Sequence, residues 1–390
     1  MHRSWQRNLA AFAMLLSGAC SSACAQSQAA KVVKFKLEDY GWRPLPKQRR
    51  GEWAGTTSQL VSIDHNGRVL AGFTAREEAG LAAREHPKLS FHILRFSSEG
   101  KLDFALVVPT KDYFTNGLYL GPSDQIFARA NDALQVLSDK DKVRTESATW
   151  RWLVPCSSNC RIHQSPSRRT LIISESKDSS GRSTRWSTGE STYTVFDTSS
   201  EPRVLRTCTK MAAYGEKITD EFAYWPNYDR DDNRTVRFPF CDVDHLQELS
   251  LPGLGGFFPL SDDAFLLLGA EFKNSPGEVK LVGSDGRVRF RHEMHKNDTP
   301  QYYAGFWATS DERGDRFAFT VDTWRGGSRS FDISGKLVAR RIVVYSESGQ
   351  ELASIPVSTM YHRDFDFSMS PDGHRLAILD EDVVTIVDMQ

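Results

Sequence analysis

Near its C-terminal end the chain carries a pattern that leaves few options for its fold. Phe365-Asp366-Phe367-Ser368-Met369-Ser370 alternates apolar and polar residues, Pro371-Asp372-Gly373 follows, and Arg375-Leu376-Ala377-Ile378-Leu379 alternates back. Proline presets φ and glycine accepts positive φ, so the segment reads as two antiparallel strands joined by a tight turn. Val383 to Val387 supplies a third strand.

The same grammar recurs along the chain. Copies stand at Ile63-Asp64-His65-Asn66-Gly67-Arg68-Val69, Gly121-Pro122-Ser123-Asp124-Gln125-Ile126 and Ser165-Pro166-Ser167-Arg168-Arg169-Thr170. Others are Leu260-Ser261-Asp262-Asp263-Ala264 and Ser310-Asp311-Glu312-Arg313-Gly314-Asp315-Arg316, with a poorer copy at Tyr214-Gly215-Glu216. They are about 45 to 60 residues apart, the period of a four-stranded repeat unit with loop insertions. A second series of turns falls between them, at Ser97-Ser98-Glu99-Gly100, within Tyr193 to Leu205, at Ser284-Asp285-Gly286 and at Glu347-Ser348-Gly349. Two alternating turn types are what four antiparallel strands per unit predict. No segment sustains helical periodicity over three or more turns.

The phrase Ser-Pro-Asp-Gly-x-x-Leu-Ala at Ser370 to Ala377 resembles the signature turn of TolB-like and WD40-like propeller repeats. The resemblance covers most of the chain beyond residue 25. It implies an all-β chain, a β-propeller of about seven four-stranded blades. The Trp-Asp ending of true WD40 blades is absent. The last blade has room for three strands, and Val32-Val33-Lys34-Phe35-Lys36-Leu37 has no partner nearby in sequence. That N-terminal strand is expected to complete the last blade, because an open ring exposes a sheet edge at each end. Six or eight blades, or a pair of β-sandwiches, are the alternatives.

The N-terminus reads as an export signal spanning 1-25, leaving one propeller domain over 26-390. Arg3 and Arg7 form a positive start, Leu9 to Ala19 is apolar but short, and Ala23-Cys24-Ala25 fits a small-x-small cleavage site before Gln26. The rival is a lipoprotein anchored at Cys20, where Leu16 stands one position too early for a lipobox. No later run approaches the roughly 18 apolar residues of a membrane helix. Four cysteines lie beyond the signal, and an even number in an exported chain favours disulfides. Cys156–Cys160 and Cys208–Cys241 are the favoured pairs among three connectivities, one closing a tight loop and the other spanning a repeat length. Zinc is disfavoured, because Cys-x3-Cys lacks the usual spacing and has no His pair.

The formal net charge of -1, with no basic block, argues against a nucleic-acid partner. Local motifs for chemistry fall short. Asp229-Arg230-Asp231-Asp232-Asn233 begins like a calcium loop, but Arg234 and Phe240 occupy the positions for Gly and the bidentate Glu. His292-Glu293-Met294-His295 has the wrong spacing for a zinc-protease helix. Gly253-Leu254-Gly255-Gly256 lacks the Lys-Ser/Thr of a phosphate cradle. The Ser174 to Ser191 run reads as a polar loop, and no Gly-x-Ser-x-Gly elbow occurs. No catalytic residue, metal or cofactor is assigned.

The aromatic run Phe222-Ala223-Tyr224-Trp225-Pro226-Asn227-Tyr228 stands out. Trp225 and Tyr228, with Tyr302, Tyr303, Trp307 and Trp324, are the candidate ligand-stacking residues. Their alternative role is packing between blades. The expected function is a periplasmic or extracellular, monomeric, non-enzymatic binding or scaffolding propeller for a protein, peptide, glycan or small molecule. The alternative is an exported hydrolase or lyase with a site assembled from several blades. Buried Asp, Glu, Arg and His at the channel mouth would favour the enzyme, and an aromatic, mostly neutral mouth the binder.

Overall fold

The computed structural model describes residues 31–42, 60–76, 89–110, 117–137, 151–156, 160–176, 191–211, 217–226, 234–242, 244–251, 256–268, 278–293, 301–325, 336–358, 366–380 and 382–389. Val32–Gln390 form one compact unit. Their strands make seven four-stranded antiparallel sheets, the blades of a β-propeller.

Blade 1 contains β2 (Leu60–Ile63), β3 (Val69–Arg76), β4 (Leu89–Phe96) and β5 (Leu102–Thr110). Blade 2 contains β6 (Gly117–Leu120), β7 (Ile126–Ala130), β8 (Ala133–Leu137) and β9 (Arg151–Pro155). Blade 3 contains β10 (Arg161–Gln164), β11 (Thr170–Ser176), β12 (Ser191–Asp197) and β13 (Arg203–Met211). Blade 4 contains β14 (Lys217–Ile218), β15 (Phe222–Pro226), β16 (Arg234–Pro239) and β17 (Gln247–Ser250). Blade 5 contains β18 (Gly256–Ser261), β19 (Ala264–Leu268), β20 (Glu278–Gly283) and β21 (Val288–Glu293). Blade 6 contains β22 (Gln301–Ser310), β23 (Arg316–Arg325), β24 (Lys336–Ser346) and β25 (Glu351–Val357). Blade 7 contains β26 (Phe367–Met369), β27 (Arg375–Asp380), β28 (Val383–Asp388) and, from the other end of the chain, β1 (Val32–Lys36).

The first strand of each blade is the innermost. β2 touches β6 and β26, β26 touches β22, β22 touches β18, and β14 touches both β18 and β10. Gln164 Nε2 donates to Leu120 O at 2.7 Å, joining β10 to β6 and completing the circle. The ring closes as the sequence implies, with Val32 opposite Val387 and Lys36 opposite Val383 in an antiparallel pairing. A short 3-10 helix at Leu37–Tyr40 follows, and its fully buried Leu37 donates its N–H to Asp382 O at 2.7 Å.

The core is divided among seven seams, one between each pair of neighbouring blades. Side chains alternate across a strand, so successive residues of each second strand enter opposite seams. In β27, Leu376 and Ile378 face blade 6 while Ala377 and Leu379 face blade 1. In β23, Phe317 and Phe319 face blade 5 while Ala318 faces blade 7. A strand covered on both faces needs a continuous apolar run, and β19 (Ala264-Phe265-Leu266-Leu267-Leu268) is buried at all five positions. Outer strands such as β25 alternate between half-buried and exposed.

Both expected disulfides are present. Cys156–Cys160 has a Cα–Cα distance of 5.3 Å and sits in the seam between blades 2 and 3. Cys208–Cys241, at 5.5 Å, ties the outer strand of blade 3 to the turn after β16 in blade 4. Such bonds persist in oxidising compartments. No helix among the described residues is long and apolar enough to cross a membrane. One repeat is misplaced by the sequence reading. The turn of blade 4 is at Thr219-Asp220-Glu221, where Thr219 N–H donates to Phe222 O at 2.9 Å. That turn has neither proline nor glycine, and the strand before it, β14, is only two residues long, so no alternating run leads into it. Tyr214-Gly215-Glu216 lies outside the described residues, as do residues 1–30 with the expected signal.

Candidate functional site at the turn end of the ring

In an antiparallel blade the first-to-second and third-to-fourth connections lie at one end, and all others lie opposite. The first-to-second turns therefore encircle the axis at one mouth. Five of them share one backbone. In each, the fourth residue donates its N–H back to the carbonyl of the first: Gly67 to Asp64, Asp124 to Gly121, Arg168 to Ser165, Gly314 to Asp311 and Gly373 to Ser370. Side chains at the first position brace the turn. Asp64 Oδ1 accepts the N–H of Asn66 and Arg68, Ser165 Oγ that of Thr170, and Ser370 Oγ that of Arg375.

The fourth residue adopts the left-handed conformation in all five turns, as glycine in blades 1, 6 and 7. Blades 2 and 3 instead place Asp124 (φ 62°) and Arg168 (φ 63°) there. A β-carbon disfavours this conformation by roughly 1–2 kcal/mol, so these two exceptions mark positions where the side chain matters.

Both side chains leave their own blades. Asp124 turns to blade 1, where its Oδ2 accepts from Asn66 Nδ2 at 2.9 Å and Arg68 Nη2 at 3.1 Å. Arg168 crosses the ring. Its Nη1 donates to Ile63 O at 2.7 Å and its Nη2 to Met369 O at 3.1 Å, the last carbonyls of the innermost strands of blades 1 and 7. The residue is only 8% exposed. Burial lowers its affinity for the proton, while the charges of Glu312, Asp64 and Asp124 oppose that effect. His65 lies above, with Nδ1 3.4 Å from Asp124 Oδ1 and Nε2 3.1 Å from Glu312 Oε1, linking blade 1 to blades 2 and 6. Asp64 pairs with Arg68, and its carboxyl is pushed upward by burial and then by Asp124.

Beside this group stands Asp311, the first residue of the blade 6 turn. It is 4% exposed, and its carboxyl is pushed up to about 6, chiefly by burial. Arg316 Nη1 reaches the neighbouring blade at Gly373 O, 3.1 Å away. Blades 3, 4 and 5 are joined by simpler contacts, Ser167 Oγ to Asp220 Oδ1 at 2.6 Å and the Thr219 hydroxyl to the Asp262 carboxylate. The mouth is thus occupied by an interlocked set of charges drawn from blades 1, 2, 3 and 6.

No protein-family model matches the sequence, and no curated protein matches it. Solved structures do. The chain is similar to the acylaminoacyl peptidase of Pyrococcus horikoshii, with a TM-score of 0.50 and 14% identity over 83% of this chain and 52% of that one. The chain has the fold of a seven-bladed β-propeller. It spans about half of the peptidase's length, and at this identity the likeness concerns the fold alone. Hsv2 of Kluyvelomyces marxianus aligns at a TM-score of 0.43 and 8% identity, over 82% of this chain and 89% of that one. The C-terminal WD40 domain of Sif2 aligns at 0.36 and 10%, over 90% and 94%.

The aromatic candidates fall elsewhere in the propeller. Trp225 lies at the end of β15, Tyr302 and Tyr303 at the start of β22, and Trp324 at the end of β23, all toward the end opposite the charged mouth. Trp307 lies within β22, between Ala304 and Ala308, where the register with β23 shifts. These residues belong to blades 4 and 6, which are not neighbours, and their side chains lie outside the described set. Tyr228 lies outside it altogether, as do residues Asp229 to Asn233 and most of the Ser174 to Ser191 run. His292 and Glu293 are strand residues of β21, and Gly256 opens β18. Tyr224, from the same aromatic run, is a core residue packed on Phe257 and Phe265, and burial first of all pushes its hydroxyl up to about 12. No group of three or more metal-ligating side chains occurs among the described residues.

Proposed function

We propose that the chain is an exported, non-enzymatic binding or scaffolding propeller that takes a peptide, glycan or small molecule at the end opposite the charged mouth. The observation that carries this reading is the closure of the charged mouth itself. Arg168 is engaged with carbonyls of two other blades, and Asp64, Asp124, Arg68 and His65 with one another. Groups bound to each other in this way stiffen a ring and leave a ligand the other end. The aromatic residue types at these strand ends of blades 4 and 6, which suit stacking on a sugar ring or peptide side chain, support this reading. The two disulfides and the N-terminal leader pattern support export into an oxidising compartment.

The charged mouth also carries the feature expected of the rival hydrolase or lyase. Asp311 is buried, and burial pushes its carboxyl up to about 6, toward the range of a general acid or base at neutral pH. One experiment separates the readings. The purified protein is titrated with peptides, glycans and metabolites while its thermal unfolding and the fate of each compound are followed. A ligand at about 100 times its dissociation constant stabilises by roughly 2.7 kcal/mol. A stabilising compound recovered unchanged supports the binder. Turnover abolished by Asp311→Asn assigns the enzyme instead.

A further inference from the structure

The charged mouth has a property that the binding role above does not use. Two backbone carbonyls from different blades, Ile63 O and Met369 O, converge on one planar cation, and the carboxylates of Glu312, Asp64 and Asp124 surround it electrostatically. A guanidinium offers N–H donors in a fixed plane, and a divided set of acceptors suits it better than it suits an ammonium. The cation here is the chain's own Arg168, delivered from blade 3 on a left-handed backbone that glycine fills in blades 1, 6 and 7. Fully buried Thr198 fixes that backbone, its hydroxyl donating to Arg168 O at 2.6 Å.

We propose that the turn-end mouth of the propeller is a guanidinium-binding site that the chain occupies with its own Arg168, and that an alkylguanidinium, such as an arginine side chain presented by a peptide, is the ligand it accepts when Arg168 is withdrawn. Arg168→Gly is the natural probe. It empties the cradle, and glycine adopts the required φ without penalty. Wild type and variant are titrated with ethylguanidinium chloride at millimolar concentrations while Tm is recorded, with ethylammonium chloride and urea as controls. The expected result is a saturable rise in the Tm of Arg168→Gly with ethylguanidinium, no such rise in the wild type, and a weaker response to ethylammonium. Adding Asp124→Asn in the Arg168→Gly background, a residue that also tolerates positive φ, lowers the apparent affinity by about tenfold.

No rise in the variant overturns the proposal. An equal rise with ethylammonium also overturns it, since that result describes an acidic surface without a guanidinium cradle. If Arg168→Gly does not fold alone, its refolding yield is compared in the two additives. Recovery with ethylguanidinium only supports the site, and recovery with neither or with both overturns it.

Discussion

Asp311 shows how one residue's surroundings become a property of the whole protein. Burial pushes its carboxyl in the folded chain up to about 6, against an ordinary value of 3.8. The folded state therefore holds a proton that the unfolded state has released between roughly pH 4 and pH 6. A raised folded value means stability that is complete below the ordinary value and is lost as pH rises through the folded one. The expected loss across this window is of order 1–3 kcal/mol. Asp311→Asn keeps an acceptor oxygen for the turn and removes the titration. Its Tm is expected to gain on the wild type from pH 4 to pH 7 in parallel scans, and curves that stay parallel contradict the burial of an ionised carboxylate. Sequence reading reaches Asp311 as a turn residue but not as a buried acid. The same holds for Asp124 and Arg168. Both sit in recognised turn copies, and the one signal available was that each stands where the pattern calls for glycine.

At the scale of elements, a strand's place in its blade decides its sequence. Second strands such as β19 and β27 lie between two seams and carry near-continuous apolar runs, while outer strands alternate. This is why the hairpins around Asp263 and Gly373 are legible and the blade 4 hairpin is not. With β14 only two residues long and Thr219-Asp220-Glu221 as its turn, that blade offers no period to count. Its attachment is partly covalent. Cys208–Cys241 closes a loop over a separation of 33 residues between blades 3 and 4. In the chain-entropy picture such a crosslink contributes about 3–4 kcal/mol. Cys208→Ala with Cys241→Ala is expected to lower denaturant-unfolding stability by about that much. A change below about 1 kcal/mol would mean that the seam of Ile172, Tyr193, Val195 and Phe238 holds the two blades unaided.

For the molecule as a whole, closure is the governing fact. The last blade takes its outermost strand from the other end of the chain, and β1 completes it by pairing with β28. Deleting residues up to Lys36 removes that strand and uncovers the edge of β28, together with the seam of Val384, Ile386 and Phe96 that Val33 and Phe35 cover. The shortened protein is expected to unfold at lower temperature and to self-associate through the bared edge, as size-exclusion chromatography would show. A truncated chain that stays monomeric with an unchanged Tm would show that the other six seams suffice.

The sequence by itself determined the strand period and the repeat length and pointed to the closing strand and the cysteine pairs, because each is written in local spacing or in a count; the structure settled the last two. Only the tertiary structure decided that Arg168, Asp64, Asp124, His65 and Glu312 meet at one mouth. They come from four blades and are separated by up to 248 positions in the numbering from Asp64 to Glu312. Circular closure brings equivalent turns to a common axis, so residues remote along the chain become neighbours. No local pattern encodes that, because the meeting is a property of the ring and not of any one repeat.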